Sequence, residues 1–266
     1  MILTRKTMKK INGLTAAFCI IGGVSLVAAV IFTFLGAESW ELVRLGLLTL
    51  FLGLVLRRFM QYGEGKAKLI ASANELVFHK LCPGEFVRLY EEKRNDPDNV
   101  IAQPDFEVLQ MLTTAYDTMG NASNALAAVE QMVSIAPERK KAYSMLLKAS
   151  LLYANGRIAE ADQLYAEALQ QKMDMAARAT ADLVLKSDKA MAIGDYATAE
   201  AFFRQLLERR FPKNPPLSVL TAKFALGKIC AATGRADEAG PYFTYCVRNG
   251  GQTSMQREAE QLLLTQ

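Results

Sequence analysis

The chain has 266 residues, 51% of them apolar and 22% charged, with a net charge of +4, four cysteines and one histidine. That balance excludes intrinsic disorder, which needs low hydrophobicity and high net charge, and it excludes a small disulfide-stapled scaffold. The average conceals two unlike parts: residues 1–59 hold seven Lys and Arg against two Asp and Glu, and the remainder holds 24 against 25.

From Ile11 to Ala37 there are 27 residues without a charge, more than the roughly 20 a helix needs to cross a bilayer. A second apolar segment runs from Trp40 to Phe59, interrupted by Arg44 and closed by Arg57 and Arg58. It spans only if Arg44 extends its head group back to the interface. The sequence therefore predicts a two-helix transmembrane hairpin, with spans at about 12–36 and 40–59 around the loop GAESWE, as an anchor over residues 1–60. Gly22, Gly23, Ser25, Ala29, Gly46 and Gly53 would let the two helices pack closely. A cleaved signal peptide fits less well, because the first run exceeds the about 7–15 residues of its apolar region and no A-x-A site precedes Glu38.

Charge predicts the orientation. Arg5, Lys6, Lys9 and Lys10 precede the first span and Arg57, Arg58, Lys66 and Lys68 follow the second, while the loop carries only Glu38 and Glu41. Both termini are expected in the cytoplasm, as in a bacterial-type inner or plasma membrane. If the second segment lay flat instead, the rest of the chain would be outside.

Residues 61–104 are expected to form a capping helical pair and a linker. GKAKLIASANELVFHK has helical periodicity through Leu69, Ala73, Leu76 and Val77. PGEFVRLYEEKR opens with a proline suited to a helix start, and NDPDN is a turn signal.

From residue 105 to 250 one skeleton recurs. GNASNALAAVEQM, GRIAEADQLYAEA, GDYATAEAFFRQL and GRADEAGPYFTYC each carry glycine, alanine five residues later and a bulky apolar residue four beyond that. Ala125, Ala161, Ala199 and Ala239 share one helix face with Val129, Tyr165, Phe203 and Phe243, then with Met132, Ala168, Leu206 and Cys246. Each glycine fits a tight turn, and a second apolar stripe precedes it, so the unit is a helical pair. The glycines, Gly120, Gly156, Gly194 and Gly234, recur after 36, 38 and 40 residues, a period that belongs to helical repeat arrays.

These residues resemble the tetratricopeptide repeat, whose pattern is W-x2-L-G-x2-Y followed by glycine, alanine, an aromatic and proline. The first copy matches with Leu109, Leu112, Tyr116, Gly120, Ala125, Val129 and Pro137. The last adds Leu226 and Gly227 but has Cys230 at the tyrosine position; the second has Lys148 and Ala149 for the Leu-Gly pair, and no copy has the tryptophan. The stretched period leaves the Sel1-like relatives as a variant. The fold class implied is all-α, a tetratricopeptide-like solenoid behind the membrane hairpin, with residues 251–266 as a C-terminal capping helix opened by Thr253-x-x-Gln256.

No catalytic constellation stands out. Gly65–Lys66 fails as a phosphate loop, because Met60 stands where its first glycine is required and Ala67 where Ser or Thr should follow. His79 and Cys82 are two ligands, too few for a closed zinc site, and no C-x-x-C occurs, unlike membrane-tethered repeat proteins with a rubredoxin-like module. Cytosolic Cys230 and Cys246 are expected as buried thiols; a bridge between them would require repeats outside the cytoplasm. Glu91, Glu92, Glu160 and Glu167 read as solvated surface. Neither an enzyme nor a cofactor, metal or nucleic-acid partner is expected, the last because the part beyond residue 59 carries no positive balance.

What the resemblance implies is a groove for peptide or protein segments, lined by the first helix of each pair. The implied groove positions are Glu107, Gln110, Thr114 and Asp117; Tyr143, Leu146, Ser150 and Tyr153; Val184, Asp188 and Met191; then Phe224 and Lys228. The Lys and Asn pattern of carboxylate-clamp members is missing. The function expected is a membrane-anchored interaction adaptor or scaffold on the cytoplasmic face, touching the bilayer through residues 12–59. An assembly or quality-control factor for membrane or envelope complexes, or a regulatory subunit of a transport or secretion complex, are the alternatives.

Overall fold

The computed structural model describes residues 17–18, 20–21, 24–25, 40–95, 104–173, 175–208 and 215–265. Among these residues it is all helix and turn. α1, Trp40–Ala73, runs into a π-helical stretch, Asn74–His79, and α2 is Pro83–Asn95. Four helical pairs follow: α3 (Phe106–Thr118) with α4 (Ala122–Ile135), α5 (Glu138–Ala154) with α6 (Ile158–Leu169), α7 (Met175–Ile193) with α8 (Tyr196–Glu208), and α9 (Pro216–Ala232) with α10 (Ala236–Asn249). α11, Ser254–Thr265, ends the array.

The chain separates into two units, residues 1–69 with 94–102 and residues 70–93 with 103–266. In the first, no described helix is long and apolar enough to cross a membrane. The uncharged run of α1 is Leu45–Leu56, about 18 Å of helix against about 30 Å of hydrocarbon. The expected hairpin is thus without support in its second helix, since Arg44 and Arg57 stand too close together. Most of its first helix, with the turn signal NDPDN after Asn95, lies outside the described residues.

In the second unit local chemistry starts the pairs. The Asp105 carboxylate accepts hydrogen bonds from the Glu107 and Val108 amides, both at 3.1 Å, and Asn121 accepts one from the Asn124 amide at 3.1 Å; such caps satisfy amides that the first helical turn leaves unpaired. Gly120, Gly156, Gly194 and Gly234 all turn at φ between 71° and 78°, a region that a side chain resists. One repeated backbone requirement explains one repeated residue.

Packing accounts for the alanines. Ala125, Ala161, Ala199 and Ala239 are all fully buried, as are Val129, Met132, Ala168, Phe243 and Cys246, while Phe203 is 7% exposed. Tyr165 departs from the pattern: it is half-buried at the edge of its cluster. Gly227, of the Leu-Gly pair, admits the Phe243 ring so closely that a β-carbon there would meet Cε1 at 2.7 Å. Each pair hands its core to the next: Leu151 of α5 joins the cluster of Leu109, Ala125 and Val129, and Leu185 of α7 joins that of Leu152 and Ala161.

The widening period lies between the pairs. Two residues separate α4 from α5, five separate α6 from α7, and seven separate α8 from α9. The second helices shorten or hold at 12 to 14 residues, so they do not account for the added length.

The last helix and the segment after α1 are tied to the first pair, which no periodicity in the sequence indicates. The π-helical stretch packs on both α3 and α9. The Gln252 amide donates to the Leu81 carbonyl at 2.8 Å, Ser254 Oγ donates to the Thr118 carbonyl at 3.1 Å, and Arg257 Nη2 donates to the Met119 carbonyl at 2.9 Å. Leu81 adopts φ 58°, and a β-carbon on Gly251 would strike its carbonyl oxygen at 2.5 Å. The Gln256 amide does donate to Thr253 Oγ1, at 3.2 Å, so the threonine half of the expected capping box forms; the Gln256 side chain turns to Glu260 instead.

Candidate protein-interaction face

The thirteen groove positions fall on α3, α5, α7 and α9 and divide by burial. Leu146, Tyr153 and Phe224 are 4%, 2% and 9% exposed. They are core residues, which corrects their assignment to the groove. Leu146 and Tyr153 belong to the cluster around Ala161, and Phe224 packs on Phe243 with ring centroids 6.3 Å apart. The Tyr153 hydroxyl still finds a partner, donating to Asp162 Oδ1, whose carboxylate also receives Lys189 Nζ at 2.6 Å. Lys189 and then Tyr153 hold the Asp162 carboxyl below the usual carboxylate range.

The other ten, Glu107, Gln110, Thr114, Asp117, Tyr143, Ser150, Val184, Asp188, Met191 and Lys228, keep contact with solvent. Several meet across successive helices although more than 30 residues separate them in sequence. Gln110 Nε2 donates to Tyr143 Oη at 2.9 Å, Lys140 Nζ lies 3.5 Å from Glu107 Oε1, and Ser150 Oγ donates to Asp188 Oδ2. Lys140 also sits 4.7 Å above the Phe106 ring. On α9, Lys228 turns to α11 and pairs with Glu258 at 3.0 Å. Thr114 uses its hydroxyl locally, donating to the Gln110 carbonyl.

Burial against protein atoms also shapes the electrostatics of this face. Asp117 is exposed, yet burial of its carboxyl among protein atoms pushes its pKa up to about 6. Asp188 is pushed up to about 6 as well, by burial first; the Ser150 hydrogen bond opposes the rise and the Asp117 charge adds to it. Burial also raises the Tyr143 phenol. The Asp117 charge on α3 thus acts on the Asp188 carboxyl of α7. Helical spacing alone did not reveal that coupling, because it depends on how far the two helices are brought together.

A different network joins the last two pairs. Glu200 of α8 accepts from Arg235 Nη2 at 2.6 Å and pairs with Arg204 at 2.6 Å. Those guanidinium groups, Arg235 first, hold its carboxyl down at about 2. Cys230 and Cys246 are free and buried, and burial pushes the Cys246 thiol up to about 12, far from a reactive thiolate. Among the described residues no group of three or more His, Cys, Asp or Glu is placed to hold a metal ion.

Residues 184–252 match the family model of the tetratricopeptide repeat. The match runs from the middle of α7 to just past the end of α10, over most of the third pair and the whole of the fourth. Tetratricopeptide repeats commonly bind other proteins or peptides, so the match supports a protein-interaction scaffold; the Sel1-like variant gains no support from it. The first two pairs carry the same turn glycine at positive φ and the same buried alanine as the matched ones. No curated protein and no solved structure matches the chain.

Proposed function

We propose that this chain is an adaptor that binds segments of other proteins on the recessed face of its tetratricopeptide-like pairs, held at a membrane by its N-terminal part. The observation that carries the first half is the division on α3, α5 and α7. On these helices Leu109, Leu112 and Leu152 are core, while Gln110, Asp117, Tyr143 and Asp188 stay open and linked across helices. A side of a helix that is neither core nor freely hydrated suits reversible covering by a partner.

The second half draws on the sequence and on the apolar surface of α1. Its uncharged run continues the pattern of the 27 uncharged residues at Ile11–Ala37, and seven of its large apolar side chains are exposed. The basic flanks favour repeats on the cytoplasmic side. Affinity capture from gently solubilised membranes tests the adaptor. The wild-type chain should retain partners that Tyr143→Ala combined with Val184→Asp loses, with helicity unchanged. The same set held by both proteins would overturn the groove assignment.

A further inference from the structure

Leu45, Leu47, Leu48, Phe51, Leu52, Leu54 and Val55 of α1 are between 40% and 64% exposed. At 100° per residue they occupy an arc of roughly 180°. Gly46, Thr49 and Gly53, on the opposite arc, are covered, and Thr49 donates its hydroxyl to the Leu45 carbonyl at 2.8 Å. A soluble helix that packs on one neighbour buries a stripe of about 100°, so one partner helix would leave much of this arc in water. Fluid acyl chains cover an arc of any width.

The band has polar limits on its exposed side. Arg44 and Arg58 fall within the same arc, fourteen residues apart, or about 21 Å along the axis. Arg57, next to Arg58 in sequence, falls on the other arc by the same reckoning; both side chains are exposed, and among the described residues neither takes part in an ion pair. Exposed guanidinium groups such as those of Arg57 and Arg58, at the edge of an apolar band, match the phosphates at the edge of the hydrocarbon. We infer that α1 embeds its Leu45–Val55 face among phospholipid acyl chains and that Arg57 and Arg58 bind anionic headgroups there, which makes the membrane contact selective for acidic lipid. The inference rests on the membrane attachment proposed above and adds the lipid class and the residues that read it. Neither a complete crossing nor a particular direction of insertion is required.

Vesicle flotation of the full chain tests it, with vesicles of phosphatidylcholine alone and of phosphatidylcholine mixed with phosphatidylglycerol. The wild type should bind the mixed vesicles more tightly and lose that preference as salt rises. Arg57→Gln with Arg58→Gln should reduce binding to mixed vesicles by about twenty-five-fold, about fivefold for each arginine, and leave binding to phosphatidylcholine unchanged. Leu48→Ser with Phe51→Ser should weaken binding to both. Equal binding of the wild type to both vesicles would overturn the arginine inference while the attachment stands. Binding to neither would remove both. A lipid-free dimer that Phe51→Ser dissociates would show that a second copy, and not lipid, covers the band. All these side chains are exposed, so circular dichroism of the variants should match the wild type.

Discussion

α1 and the helical pairs are built from similar apolar residues and treat them in opposite ways. In the pairs the apolar residues recur at spacings that put them on one face, and small alanines at the crossing points let the next helix bury that face: Ala161 and Ala239 are both fully buried. Over Leu45–Val55 of α1 seven large residues spread over half the circumference and remain exposed, while Gly46, Thr49 and Gly53 are covered. The difference teaches that the angular width of an apolar face identifies what covers it. A narrow stripe with a small residue at its centre calls for another helix of the same chain, and a wide band calls for something without a fixed shape.

Four measurements can break or sharpen that contrast, all made by urea unfolding of the full chain followed by circular dichroism. Phe243→Ala should have the largest effect, about 3–5 kcal/mol, because its ring is fully buried against the gap left by Gly227. Gly227→Ala should destabilise by about 1–3 kcal/mol through overpacking. Much of that loss should vanish in the Phe243→Ala background, where the β-carbon no longer meets the ring; additive losses would mean the two are not in contact.

The third concerns pH. Asp117 and Asp188 each titrate at about 6 in the folded chain, above the ordinary 3.8. The folded state thus holds their protons more tightly, and the stability this gives is full below 3.8 and lost as pH rises through about 6. Lowering the pH from 7 to 5 should stabilise the wild type. Asp188→Asn should be more stable than wild type at pH 7 and show a smaller gain on acidification. Glu200, held at about 2 against an ordinary 4.5, acts in the opposite direction, but only below 4.5, so it leaves this window clear. A wild type that loses stability between pH 7 and 5 would show that Asp117 and Asp188 do not hold their protons more tightly in the folded chain.

The smallest effects are expected where side chains are exposed. Phe51→Ser in α1 and Glu160→Ala in α6 should each change stability by less than about 0.5 kcal/mol, since Phe51 is 64% exposed and Glu160 lies on the surface. The Arg157 partner of Glu160 is also exposed, and an exposed ion pair contributes little. A large loss at Phe51 would show that the wide band packs on protein.

The sequence by itself determined the repeated pair. A glycine needed at positive φ, an alanine where helices cross and an apolar residue one turn later are local requirements, and local requirements leave a periodic trace in one chain. It also determined that residues 11–59 differ in kind from the rest, because long uncharged runs are visible without any fold. Tertiary structure decided what depends on neighbours distant in sequence. Leu146, Tyr153 and Phe224 stand at groove offsets, yet they are buried, since coverage depends on which side chains the adjacent helix supplies. The action of the Asp117 charge on Asp188 depends on where the fold places α3 and α7. The contact of Leu81 with Gly251, and of Thr118 with Ser254, joins positions 136 residues apart or more. No helical period encodes such a contact, because it follows from the summed rotations of every pair between them.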